Sequence, residues 1–159
     1  MPLRTRLAAL LLPLLVLSAC LPEITQPTGT PIDCATLATS LETTTNLITT
    51  ASGLRYRDEV VGQGTEVGAG NLVGVHYAGC LTSGVLFDER LDIDPPLAFV
   101  LGATPPRVIA GFDEGIRGMK IGGRRQLVIP PALGYGDRPV GTIPANSTLV
   151  FTVILAGIR

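Results

Sequence analysis

The sequence predicts an α+β domain in which one short helix lies across an antiparallel sheet. Three observations predict it. Phe112, Ile116 and Met119 recur at i, i+4 and i+7, a single apolar stripe on a short, glycine-punctuated segment that is too brief to persist unsupported in water. The runs on either side alternate apolar and polar residues as strands do. The last run places Leu149, Phe151, Val153 and Leu155 on one face and Val150, Thr152 and Ile154 on the other, which makes it a central strand.

Taken in chain order, Arg4 and Arg6 precede an apolar run from Leu7 to Leu17, then Ser18, Ala19 and Cys20. A charged start, a run too short to span a bilayer and a small-residue end have the form of a secretory signal. Leu17-Ser18-Ala19-Cys20 resembles the bacterial lipobox, in which cleavage leaves the cysteine as an acylated first residue. The expectation is a signal peptide over 1–19 and a protein lipidated at Cys20, exported and anchored at the membrane of the bacterial cell envelope on its extracytoplasmic side. An ordinary signal peptide with an incidental cysteine is the alternative. Setting Cys20 aside leaves Cys34 and Cys80, an even pair in an oxidising compartment. A disulfide and two free thiols both remain open, since spacing does not show whether their Cβ atoms meet.

Residues 20–52 read as a tether, rich in Thr and Ser and carrying Pro22, Pro27 and Pro31. Asp33 is placed to cap a weak helix over 34–50, with Leu37, Leu41 and Ile48 roughly on one side. From 53 to 159 the texture is that of a domain. A strand from Leu72 to Leu81 carries Val73, Val75 and Tyr77 on one face and Gly74 and His76 on the other. A turn at Thr82-Ser83-Gly84 leads to Phe87, and a strand from Leu97 to Leu101 leads through Pro105-Pro106 to the helix. Asp113 and Glu114 stand in the first helical turn, where carboxylates are favoured, and Gly118 and Gly122 offer stops. A strand from Gln126 to Ile129 follows, opened by Arg124-Arg125, which reads as a solvated face. The long Gly/Pro-rich loop from Pro130 to Ser147 is of the kind that carries function.

A net charge of -1 supplies no footprint for nucleic acid. His76 is the sole histidine, which excludes a Ser-His-Asp site and any histidine-rich metal cluster. Three tyrosines and four phenylalanines are all the aromatics there are. Tyr77, Phe87, Phe99, Phe112, Tyr135 and Phe151 fall between the first central strand and the last, which fits the core of a small domain and the wall of a pocket equally well.

The segments Val75-His76-Tyr77-Ala78-Gly79, Gly84-x-x-Phe87-Asp88, Phe99-x-Leu101-Gly102, Val108-Ile109-x-Gly111-Phe112-x-Glu114-Gly115, Met119-x-x-Gly122, Tyr135-Gly136 and Ile143-Pro144-x-Asn146-Ser147-x-Leu149-x-Phe151 resemble, in this order, the FKBP-type peptidyl-prolyl cis-trans isomerases. Gly53-Leu54-x-Tyr56 is similar to the start of that domain in bacterial envelope members. The resemblance implies a half-wrapped antiparallel sheet of about five strands around one short helix, with substrate proline entering between helix and sheet. Tyr77, Phe99, Val108, Ile109, Phe112, Ile143 and Phe151 would then bind substrate. Asp88, Tyr135 and Phe87 would be the catalytic positions, and the Ile109 N–H would donate to a bound carbonyl.

The implied activity is isomerisation of X–Pro bonds in secreted or envelope proteins as they fold, with proline-containing polypeptides as partners. No cofactor or metal is called for. Two readings of Asp88 stand, one as a group that polarises the twisting amide and one as a buried carboxylate holding the loop after Phe87. The family's favoured Trp on the pocket floor is Phe112 here, Leu97 stands where an aromatic is common, and Ala103 to Arg107 lengthen the loop before the helix. These departures predict reduced affinity for macrolide inhibitors. The rival function is a tethered, non-catalytic chaperone module that holds proline segments in the same groove.

Overall fold

Two ten-residue strands, Leu72–Leu81 (β3) and Leu149–Ile158 (β7), pair antiparallel along the middle of the sheet, from Val73 opposite Ile158 to Leu81 opposite Leu149. The structure is a computed structural model that describes residues 33–37, 46–91 and 95–159. The other strands are β1 (Ile48–Thr49), β2 (Arg55–Val60), β4 (Leu86–Arg90), β5 (Leu97–Val100) and β6 (Arg124–Ile129). Their spatial order is β1-β2-β6-β7-β3-β4, and β5 shares with β4 the outer edge of β3. The expected antiparallel sheet is therefore present among the described residues, with seven strands where about five were expected.

The helix beside it, α1 (Ala110–Ile116), lies on β6 and buries Phe112 and Ile116; Met119, the third residue of the predicted stripe, is buried too but follows the helix's end. Its glycines permit the approach. A Cβ on Gly111 would stand 2.5 Å from Ile129 Cγ2, and one on Gly115 would stand 2.6 Å from the Leu127 methyls.

Three expectations need correction. The helix expected over 34–50 does not reach its predicted end, because Ile48 and Thr49 form β1 and pair with Tyr56 and Arg55. Both are β-branched, and the turn closed by Thr50 N–H to Leu54 O at 2.9 Å folds them back as a hairpin. Residues 34–37 are helical, and Asp33 caps them by accepting from Ala35 N–H at 3.0 Å and the Thr36 hydroxyl at 2.6 Å. Residues 38–45 of that expectation lie outside the described residues.

Arg125 is not solvated. Only 6% exposed, it makes a two-pronged pair with Asp58 (Nε to Oδ1 2.7 Å, Nη2 to Oδ2 3.0 Å). Its Nη1 donates to the carbonyls of Gly115 and Arg117, both at 2.9 Å, and its guanidinium lies 4.4 Å over the Tyr56 ring. The cation is buried because it satisfies the open carbonyls at the C-terminal end of α1. Its neighbour Arg124 remains partly exposed and pairs with Glu59 at 2.9 Å.

Asp88, for which a buried carboxylate was one expectation, is exposed. Cys34 and Cys80 are joined by a disulfide, with Cα atoms 5.6 Å apart. Cys80 alternates with Gly79, so the bond lies on the face of β3 away from the helix and ties residues 33–37 to the sheet. Residues 1–19 and Cys20 lie outside the described residues. Among the described residues no helix is long and apolar enough to cross a membrane.

Candidate active site

The aromatic residues converge where α1 faces β3, β5 and β7. Phe112 is the hub, with ring centroids 5.1 Å from Phe151, 5.5 Å from Tyr77 and 6.2 Å from Phe99. Phe87 on β4 meets Phe151 edge-on at 5.5 Å. Such edge and tilted contacts are the favoured packing of rings. The Phe87–Phe151 contact needs Gly79 beneath it, since a Cβ there would stand 2.7 Å from both rings. Phe99, Phe112, Ile143 and Phe151 are buried and form a floor. Tyr77, Phe87, Val108, Ile109 and Tyr135 pack against that floor but are only partly buried, and they form a rim. Ring contacts thus join Tyr77, Phe87, Phe99, Phe112 and Phe151, while Val108, Ile109, Tyr135 and Ile143 belong to or pack against the same core cluster, with the rim residues partly exposed.

Two loops supply the residues of the cup that do not come from strands or the helix. Val108 and Ile109 come from the connection between β5 and α1. Tyr135 and Ile143 come from the long 130–147 loop, which has structure of its own: a 3₁₀ turn (Pro131–Leu133), paired backbones at Val140 and Ile143, and Asn146 N–H to Gly136 O at 2.7 Å. Ile109 caps α1, its carbonyl accepting from the N–H groups of Phe112 at 3.0 Å and Asp113 at 3.1 Å. Among the described residues neither the Ile109 N–H nor the Tyr135 hydroxyl has a hydrogen-bond partner. The cup therefore offers two donors to a visitor.

Asp88 is exposed, which removes the reading of it as a buried carboxylate. It lies opposite Gly79 on β3, on the side of the sheet that carries Tyr77, and its Oδ2 accepts from the Tyr77 hydroxyl at 2.7 Å. Burial, followed by this bond to a carboxylate, pushes the Tyr77 hydroxyl up to about 12. The sign follows. A folded-state value above the ordinary 10.0 means that the contact stabilises fully below pH 10 and is lost as pH rises through about 12.

Sequence reading missed three residues that hold the cup together. Asp113 accepts from Gly102 N–H at 2.6 Å. Glu114 accepts from the Ser52 hydroxyl, 2.8 and 2.9 Å from its two oxygens. Arg125 holds the far end of α1. The acidic pair was visible as a helix-start signal, but partners 11 and 62 positions away leave no local trace. No cluster of His, Cys, Asp or Glu suited to a metal occurs among the described residues. His76 lies on the face of β3 away from the cup, as expected from its register.

Comparison with known proteins agrees with this geometry. The sequence model of the FKBP-type peptidyl-prolyl cis-trans isomerase family matches residues 63–156. The chain is 51% identical over 109 residues to FK506-binding protein 1A of Neurospora crassa, covering 67% of this chain and 89% of that protein. It is 41% identical over 110 residues to the FKBP-type isomerase FkpA of Aeromonas hydrophila, covering 69% of this chain but 40% of that protein. Among solved structures, that of AtFKBP13 superposes with a TM-score of 0.65 at 38% identity, covering 72% of this chain and 99% of the other. FkpA from Escherichia coli superposes at 0.67 with 36% identity, covering 79% and 57%.

Proposed function

The chain belongs to the FKBP-type peptidyl-prolyl cis-trans isomerases, and on that premise we propose that it speeds X–Pro isomerisation in exported proteins by drawing the prolyl amide into the aromatic cup. Rotation about that bond meets a barrier of about 18–20 kcal/mol from amide resonance and involves no bond cleavage. The twisted amide has less charge separation than the planar one, so a site poor in water favours it over the ground state. The observation that carries the reading is the ring-floored cup with an unpaired backbone donor, Ile109 N–H, at its rim.

In this account the proline ring rests on Phe112 among Phe99 and Phe151, and Tyr77, Ile143 and Val108 close the walls. Ile109 N–H takes a substrate carbonyl and the Tyr135 hydroxyl anchors the peptide. Phe87 shields the amide from water. Asp88 fixes the Tyr77 hydroxyl and turns its remaining oxygen toward the twisting bond. Macrolide ligands of the FK506 kind fit the same cup with reduced affinity, because Phe112 has no indole donor.

A protease-coupled assay on a short X–Pro peptide tests this. The full chain is expected to outpace buffer, and Asp88→Ala to fold normally yet lose about tenfold in kcat/KM, a change of ~1.4 kcal/mol. Rates no faster than buffer would leave a proline-binding module, and wild-type turnover in Asp88→Ala would remove that residue's role. The lipobox-like Leu17-Ser18-Ala19-Cys20 further supports a lipid-anchored enzyme at the bacterial envelope, facing away from the cytoplasm. An unmodified Cys20 in the mass spectrum of protein from the native host's membrane would remove the anchor.

A further inference from the structure

We propose that Asp113 is a positioning residue for the isomerase, holding both ends of loop 102–109 so that Ile109 N–H stands ready for a substrate carbonyl. Its carboxylate Oδ2 accepts from Gly102 N–H at 2.6 Å where the loop leaves β5. Its own backbone N–H donates to Ile109 O at 3.1 Å where the loop enters α1. Between these points the loop has little else to hold it. Apart from Ala103 N–H to Val100 O at 3.3 Å, no backbone hydrogen bond ties residues 103–108 to any described residue. The other carboxylate oxygen is engaged by Arg117, whose Nε lies at 3.0 Å and whose Nη2 completes the pair. Both oxygens are thus engaged inside the protein and the side chain is mostly buried, so Asp113 acts through Ile109 rather than by touching the peptide.

The consequence follows from loop entropy. Releasing Gly102 would move the loop's firm anchor at the β5 end back to Leu101, which Asn71 and Gly70 hold, and part of the order the loop now has in the free enzyme would have to be imposed on binding. Such a defect raises KM, because the Ile109 donor is required by planar and twisted amides alike, and leaves kcat nearly unchanged. The inference rests on the reading of the cup as the substrate site.

The test is steady-state kinetics on an X–Pro peptide with the full chain, together with melting temperature and amide exchange at Gly102. Asp113→Ala is expected to lose about tenfold in kcat/KM, chiefly through KM, and to exchange faster at Gly102. Asp113→Asn keeps an oxygen for Gly102 N–H and should recover most of the loss. If Asp113→Ala is poorly folded, Arg117→Ala replaces it, and there a KM raised about threefold is expected. Unchanged KM in a folded Asp113→Ala or Arg117→Ala chain overturns the proposal, as does an asparagine variant no better than alanine. An inactive wild type would remove the cup as substrate site and this inference with it, whereas an active wild type with an unimpaired Asp113→Ala removes the inference alone.

Discussion

Phe112→Ala is expected to lower the unfolding free energy by about 3–5 kcal/mol and to abolish most of the isomerase activity. The ring is 3% exposed and sits against Tyr77, Phe99 and Phe151, so its removal leaves a void at the point where helix and sheet meet. The void cannot close easily. Gly111 and Gly115 already bring α1 into contact with β6, so the helix has no room to settle further. Urea unfolding measures the stability change. Phe112→Leu separates the two effects, since it retains apolar volume and much of the stability while removing the ring on which proline rests. If Phe112→Leu kept wild-type turnover, an aromatic floor would not be needed for catalysis.

Arg125→Ala is expected to cost about 3 kcal/mol, the lower end of the range for breaking a buried ion pair, because Asp58 is a third exposed and recovers some hydration. The loss has three parts: an unpaired Asp58, the carbonyls of Gly115 and Arg117 left without a donor, and an empty space beside Tyr56. Arg125→Met fills the space without the charge and should recover part of it. A denaturation midpoint within the equivalent of ~1 kcal/mol of wild type would mean that α1 does not depend on this clamp.

Much of this site was legible through the family resemblance, which implied its residues one by one. The aromatics alone, six of the seven falling between the first central strand and the last, fit a plain core as well as a pocket wall. The helix was legible from Phe112 and Ile116, whose spacing is a local property, although it ends before Met119. Other features depend on partners that periodicity does not report. Arg125 looks like a surface cation until Asp58 and the end of α1 are brought to it. Asp113 looks like a helix-start acid until Gly102 is. β1 was hidden in a threonine-rich run, which weakens a helix without announcing a strand, and only pairing with Arg55 and Tyr56 settles the matter. Asp88 was known to be near Phe87, but its bond to Tyr77, 11 positions away, depends on the register of β4 against β3.

The central claim is that the cup works by withholding water from a twisting amide, with no proton in flight. The most direct test compares kcat/KM in ordinary and heavy water and across pH from about 6 to about 9, a range over which Tyr77 keeps its proton. The account predicts equal values in the two solvents once viscosity is matched, and a flat pH profile. A clear slowing in heavy water together with a bell-shaped profile would contradict it.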